Sequence, residues 1–405
     1  MKFNQWTLGL AALGVVSLAS AVRADEKPSP VMTALSSTTL SGYVDTSAQW
    51  NLGTGNANNP AYGFGGAGKA DGFNLNAVKV SLAKDADAAD SWGAGYKVDL
   101  LFGPDANTYA TTSAGLGAAT SDFAIRQAYV DLKAPVGNGL DIKMGVFDTI
   151  TGYEVGDAPN NPNFTRSYQW TIEPTTHTGV LLSYTVNEMI SVAGGIADTF
   201  GPTINGRAVN TAGVQRESYK TYMADISFTA PTNWGWAGGS TAYAAVINGF
   251  NAASSAKGGT PADQTSFYIG STLNTPLKEL KLGASYDYEG AGAQPLTGGV
   301  AGYANATDLY ATYQMTEKLS FNARGEWFTQ SKANHVIGLP DKVLALTGTV
   351  QYDLWKNVLS RLEIRWDHSA DGSLAYGGTA AGVPGSPGPN KKNAYEIIAN
   401  VAYKF

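Results

Sequence analysis

Charged residues are sparse in this 405-residue chain, 27 Lys and Arg against 33 Asp and Glu, so the places where they gather are informative. The stretch 148–177 carries Asp148, Glu154, Asp157 and Glu173 together with Arg166, and ends at His177. Three arginines, Arg324, Arg361 and Arg365, occupy the polar parity of two alternating segments further along. Carboxylates and guanidiniums in this pattern include no activated nucleophile and do no bond chemistry. They supply a field, or they pair. Glu326, Glu363 and Asp367 stand beside the arginines and offer cross-strand neutralisation as the plainer reading. Lys97 and Lys143 are offset by Asp99 and Asp141 in the same way. Arg126 falls on the apolar parity of its segment and is expected to snorkel toward a polar boundary.

Other chemistry-bearing motifs carry less. There is no cysteine, which removes disulfides, thiolate metal sites and thiol nucleophiles together. The three histidines, His177, His335 and His368, show no metal-binding spacing, so no metal and no cofactor are expected. His368-Ser369 pairs a base with a hydroxyl, but neighbours on a strand point to opposite faces. Gly63-x-Gly65-x-x-Gly68 matches a dinucleotide fingerprint without the helix that such a loop must open. Asp85, Asp87 and Asp90 read as a solvated turn with at most weak affinity for divalent cations.

Elements that would position these groups follow from periodicity. Residues 1–24 read as a signal peptide: Lys2, an apolar run Leu8 to Ala21, then Val22-Arg23-Ala24 as the cleavage site, with cleavage after Ala21 and an uncleaved anchor as the alternatives. Residues 25–37, with Pro28 and Pro30, read as a short periplasmic linker. Beyond it the chain alternates. Tyr395, Ile397, Ala399, Val401, Tyr403 and Phe405 share one parity, and Glu396, Asn400 and Lys404 the other. Sixteen such segments span 38–50, 72–84, 92–102, 122–134, 140–147, 178–186, 190–198, 219–230, 240–249, 264–275, 279–289, 304–315, 319–329, 343–354, 359–368 and 393–405. Segments six, seven and nine are weakly patterned, because both faces are small or apolar, which leaves counts of fourteen or eighteen open. Connections alternate short and long, which is the asymmetry of a transmembrane barrel with short periplasmic turns and long outer loops. Trp50, Trp327 and Trp366 fall at one end of the apolar faces and Trp92, Tyr352, Tyr403 and Phe405 at the other, as two aromatic girdles. The fold expected is an all-β, antiparallel, up-and-down transmembrane barrel over 38–405. Net charge −6 provides no basic field for nucleic acid.

Ser41-Gly42-Tyr43-Val44-Asp45, Ile125-Arg126-Gln127-Ala128-Tyr129-Val130, Gly145-Val146-Phe147-Asp148, Asn161-Pro162-Asn163-Phe164-Thr165-Arg166-Ser167-Tyr168 and Glu173-Pro174-Thr175-Thr176-His177-Thr178-Gly179 carry a resemblance to the OmpL-like β-barrel porins. It runs over essentially the whole mature chain. The resemblance implies an outer-membrane porin of a Gram-negative-type bacterium and leaves its solute open. In sixteen-stranded porins the loop after the fifth strand folds into the lumen, so 148–177 becomes the candidate constriction. Glu154, Asp157, Arg166 and Glu173 would then face Arg324, Arg361 and Arg365 across the narrowest point. A solvated surface loop is the plainer alternative. The partners implied are outer-membrane lipid, small hydrophilic solutes, the barrel-assembly machinery through Phe405, and further copies in a homotrimer. The function expected is passive diffusion of ions and small hydrophilic solutes, with a closed structural or adhesive barrel as the alternative. Neutralising Glu154 and Asp157 together is expected to shift ion preference toward anions. An unmoved reversal potential in a salt gradient would contradict the assignment of 148–177 as the constriction.

Overall fold

The computed structural model describes residues 37–53, 57–86, 91–109, 111, 122–208, 218–251, 263–292, 301–331, 338–378 and 388–405. The signal-peptide segment, all of the linker but its last residue, Asp87, Asp90 and His335 lie outside the described residues.

Alternating apolar and polar residues form sixteen antiparallel strands that close on themselves. They are β1 (Thr39–Asn51), β2 (Gly72–Lys84), β3 (Gly93–Phe102), β4 (Phe123–Ala134), β5 (Leu140–Asp148), β6 (Thr176–Thr185), β7 (Ile190–Ala197) and β8 (Thr221–Thr229), then β9 (Thr241–Phe250), β10 (Asp263–Asn274), β11 (Leu280–Ala291), β12 (Gly302–Gln314), β13 (Leu319–Gln330), β14 (Lys342–Trp355), β15 (Val358–Ser369) and β16 (Asn393–Lys404). Each pairs with its sequence neighbours, and β1 pairs with β16, so every ladder group has a partner and no edge faces lipid. Asp45, Asp99, Arg324, Glu363 and Arg365 point inward and are buried, while Leu309, Leu346, Leu362 and Ile364 point outward and are exposed. A barrel in lipid requires this inverted polarity. Trp50 and Trp327 at one end, and Trp92, Tyr352 and Tyr403 at the other, stay exposed on the outer face.

The β1–β16 seam closes through reciprocal backbone hydrogen bonds between Gly42 and Phe405, at 2.9 and 3.0 Å. Gly42 is required there. A Cβ would meet the Lys79 carbonyl oxygen and lie 2.7 Å from the Phe405 ring.

Two bulges re-aim side chains into the lumen. The β1–β2 register slips between Asp45 and Thr46, leaving Asn76 as the extra residue. Asn76 is buried and donates to Asp45 Oδ2 at 3.0 Å. The β3–β4 register slips between Asp99 and Leu100, leaving Arg126 as the extra residue. This corrects the parity reading of Arg126: it is buried within the lumen and does not snorkel. A bulge shifts the parity of everything on one side of it, which simple alternation cannot register.

The lumen holds three apolar clusters. Tyr62, Tyr168, Ile172, Phe328 and Val343 form one, where the short helix α2 (Tyr168–Ile172) packs against β12–β14. Tyr43, Leu101, Ala106 and Tyr109 form a second, around α1 (Pro104–Tyr109). Phe147, Leu181, Phe200, Met223 and Ile247 form the third.

Substituting Gly42→Ala is expected to destabilise the closed barrel by about 1–3 kcal/mol, because the contact at the seam is with backbone and cannot yield cheaply. The temperature at which the folded band converts to the unfolded band in a heat-modifiability gel should fall. An unchanged transition would contradict the packing described at the seam.

Candidate pore constriction

The loop 149–175 between β5 and β6 runs across the barrel interior and is fastened on three sides. On the first side Asp157 is its anchor. Arg126 Nη1 donates to Asp157 Oδ1 at 2.5 Å, Lys79 Nζ to Oδ2 at 2.8 Å, and the Tyr43 hydroxyl to Oδ1 at 3.2 Å. Arg126 also clamps Asp148, at 2.6 Å through Nη2 and 3.2 Å through Nε. Lys79 additionally meets Asp99 at 3.1 Å.

On the second side the wall of β13–β15 receives the middle of the loop. Arg324 donates to Glu154 at 2.7 Å, to Glu326 at 2.7 Å and to the Thr165 carbonyl at 2.6 Å. Glu363 accepts the backbone N–H groups of Phe164 and Thr165 at 2.6 and 2.9 Å. Arg361 donates to the carbonyls of Ala158, Asn161 and Asn163, and Arg365 to Asp367 and the Arg166 carbonyl. Tyr168 sends its N–H to Glu326 and its hydroxyl to Asp367, at 2.7 Å each. Ser167 caps α2 by accepting from the Trp170 N–H, and its own N–H goes to Glu154. A loop inside a barrel has little water to satisfy its backbone, so inward charges of the wall do it instead.

On the third side the contacts are light. The Tyr243 hydroxyl of β9 donates to the Ile150 carbonyl at 2.6 Å, and Thr272 of β10 donates to the Tyr153 hydroxyl at 3.3 Å. Between this edge of the loop and the β9–β10 wall lies a cleft of about 530 Å³.

The seven residues singled out from sequence, Glu154, Asp157, Arg166, Glu173, Arg324, Arg361 and Arg365, are all no more than 5% exposed. They are not one cluster. Glu154 meets Arg324, with Arg365 close by through Glu326. Asp157 lies on the opposite side of the loop with Arg126 and Lys79. Arg166 staples the loop to itself through the Phe164 and Gly156 carbonyls, over the Phe64 ring. Glu173 sits against Asp287. Arg324 and Arg365 each pair with a wall carboxylate, as the plainer sequence reading has it, and each also holds the loop. Sequence reasoning missed Arg126 and Lys79 as loop anchors. The available signal was Arg126-Gln127, two consecutive polar residues that break alternation, which is the mark of a bulge.

The remaining motifs take structural places. Gly63 lies under Trp170, where a Cβ would strike the indole, so the glycine serves packing between the first outer loop and α2. His368 Nδ1 contacts Asn393 on the outer face while Ser369 is buried within, bonded to Asp371 and Ser373, and the two do not meet.

Burial pushes the Asp157 carboxyl up, but Arg126 and Lys79 outweigh it and hold it well below the usual carboxylate range. A depressed folded value means that the anchor contributes fully above the unfolded pKa of about 4 and fades as pH falls through the folded value. The loop should therefore stay seated at pH 4 and loosen in stronger acid, read as a rise in current fluctuation. Removing the anchor by Arg126→Ala leaves Asp157 short of its partner and is expected to cost about 3–5 kcal/mol of local stability. Susceptibility of 149–165 to added protease should increase; an unchanged cleavage pattern would contradict the anchoring role.

Comparison with solved structures returns barrels of this architecture. The anion-selective porin from Comamonas acidovorans matches with a TM-score of 0.60 and 14% identity, over 91% of this chain and 99% of that one. OmpF of Salmonella typhi, in complex with daunomycin, matches with a TM-score of 0.58 and 13% identity, over 91% and 97%. The outer membrane channel DcaP of Acinetobacter baumannii matches with a TM-score of 0.56 and 15% identity, again over 91% and 97%. At such identities the likeness is one of fold. No curated protein matches the sequence. Residues 37–405 match the family described as "Putative beta-barrel porin-2, OmpL-like", and with the fold above, the chain belongs to that family of outer-membrane β-barrels.

Proposed function

We propose that this barrel is a passive diffusion channel whose passage runs through the cleft between the loop edge and the β9–β10 wall, with a preference for cations. One observation carries the preference. At the cleft the Asp148 side chain is 34% exposed while that of its partner Arg126 is 5% exposed, so the acid meets the water and the base does not. The inward faces of β6–β9 carry no lysine or arginine, and Asp225 of β8 is their one carboxylate. The lining also includes hydroxyls and rings, Thr151, Tyr153, Thr241, Tyr243, Tyr268 and Thr272, together with Glu154 and Glu173 of the loop. A neutral wall lets a few fixed charges set the field over the opening.

In this reading Asp157, Arg166, Arg324, Arg361 and Arg365 set the constriction by fixing where the loop lies, while Glu154 and Glu173 also line the cleft. The reading extends to assembly: Phe405 at the seam serves as the signal to the barrel-assembly machinery, and the exposed apolar belt accommodates further copies. OmpT of Vibrio cholerae, of the same fold, has been solved in a trimer form.

A closed structural or adhesive barrel is the second reading, favoured by the three apolar clusters that fill much of the lumen. Conductance separates the two. The folded barrel in a planar bilayer should give ohmic steps and a reversal potential of cation-preferring sign, with Asp148→Asn and Asp225→Asn each moving that potential toward zero. A folded but silent barrel would move the case to the second reading, and an anion-preferring potential would overturn the charge assignment.

A further inference from the structure

The lipid-facing side of β11–β15 is furrowed. Two rows of the ladder cross it next to each other. In one, Leu282, Ala311, Ala323, Gly348 and Ile364 each stand directly opposite the next. In the row nearer the outer end, Leu309, Gly325, Leu346 and Trp366 do the same. Ala311, Ala323 and Gly348 make a low floor between bulky margins, and Gly325 is a notch between two leucines. The result is an apolar furrow of about 680 Å³. A Cβ on Gly348 would meet nothing within 4 Å, and one on Gly325 only the Leu346 side chain, at 3.5 Å. Packing within the chain does not require either glycine.

The hydrophobic effect does not decide what fills such a furrow, because the surrounding lipid is as apolar as its walls. Dispersion does: the walls lose contacts unless something follows their shape. A methylene chain is flexible enough to do so.

The rim above the furrow is polar. Trp327, Leu344, His368 and Asn393 form the next row across β13–β16. Trp366 Nε1 donates to the Asn393 carboxamide oxygen at 3.0 Å, and His368 Nδ1 lies 2.8 Å from the same oxygen. One step further out, Lys342 of β14 is exposed on the same face as Leu346 and Gly348. Lys342 and the flanking connections 331–341 and 370–392 together carry four lysines and two aspartates, Asp341 and Asp371. Asp371 is already met by the Ser369 hydroxyl and by the N–H groups of Ser373 and Asp341. The excess of positive charge on this rim complements an anionic headgroup.

Depth fits as well. From Lys342 to Gly348 is six residues along β14, roughly 20 Å of strand. A strand tilt of about 40° turns this into roughly 15 Å of depth, the hydrocarbon thickness of one leaflet. A headgroup at Lys342 therefore lays its acyl chain beside Gly348.

We propose that this furrow binds one lipid of the outer leaflet, with an acyl chain against Gly325 and Gly348 and an anionic phosphate headgroup at Lys342. The site depends on the barrel standing in lipid and is independent of where the passage runs.

The test is native mass spectrometry of the refolded full barrel, delipidated in detergent and then given bisphosphorylated lipid A or, as a zwitterionic probe, phosphatidylcholine. One lipid A should remain on the barrel at concentrations where phosphatidylcholine is lost. Lys342→Gln should weaken retention about fivefold, the share of one lysine at a membrane surface. Gly325→Leu combined with Gly348→Leu fills the furrow and should abolish retention. Both side chains project into lipid, so the heat-modifiable mobility of a folded barrel should be kept. No retained lipid A, or equal retention of the two lipids, overturns the site. Retention unchanged in the furrow-filled variant overturns its location, and retention unchanged in Lys342→Gln overturns the headgroup assignment. If the two leucines dissociate an oligomer, read by light scattering, and leave lipid A bound, the furrow is a contact between copies and the proposal fails.

Discussion

Everything in the lumen depends on the pairing of buried charges between loop 149–175 and the strand wall. A barrel in lipid must turn its polar residues inward, and sixteen strands enclose more space than those side chains fill. A chain segment that enters this space brings unsatisfied backbone groups with it. Arg324, Arg361 and Arg365 answer carbonyl oxygens, and Glu363 and Glu326 answer N–H groups, so the wall stands in for water. Paired charges of this kind contribute little net stability relative to apolar packing, but they are costly to break singly. Their consequence here is geometric, because they allow one position for the loop.

That position divides the interior unequally. Toward β1–β4 and β11–β16 the loop is bonded and the space is filled by rings and aliphatic side chains. Toward β9–β10 it is held by two hydroxyl contacts, and the cleft lies beside them. Charge-rich wall and cleft therefore lie on opposite sides of the loop. The arginines that attract attention as selectivity residues are buried in contacts with the loop, and in the proposed reading the field at the opening comes from Asp148 and its neighbours.

Strands were legible in the sequence because lipid on one side and polar lumen on the other impose a strict period of two, and β13, β15 and β16 show it over their whole length. The same argument located Arg324, Arg361 and Arg365 on the inner face. It failed at Arg126, where one extra residue in β4 reverses the parity. It could not pair Asp157 with Arg126 and Lys79, since a loop's path through the lumen has no period to read. The weak patterning of β6, β7 and β9 has a packing cause: Leu181, Ala197 and Ile247 face inward there into a buried apolar cluster with Phe147, Phe200 and Met223, so neither face is polar.

The chain has no cysteine, so one introduced thiol reports on one place in the lumen. The most direct measurement is the effect of a charged thiol reagent on single-channel current in Thr241→Cys and Thr272→Cys, at the cleft, and in Ala306→Cys and Ala345→Cys, beneath the loop. Modification at 241 and 272 should reduce the current stepwise and leave the other two channels unchanged. Block at 306 or 345 with none at 241 and 272 would place the passage on the wrong side of the loop and contradict the account.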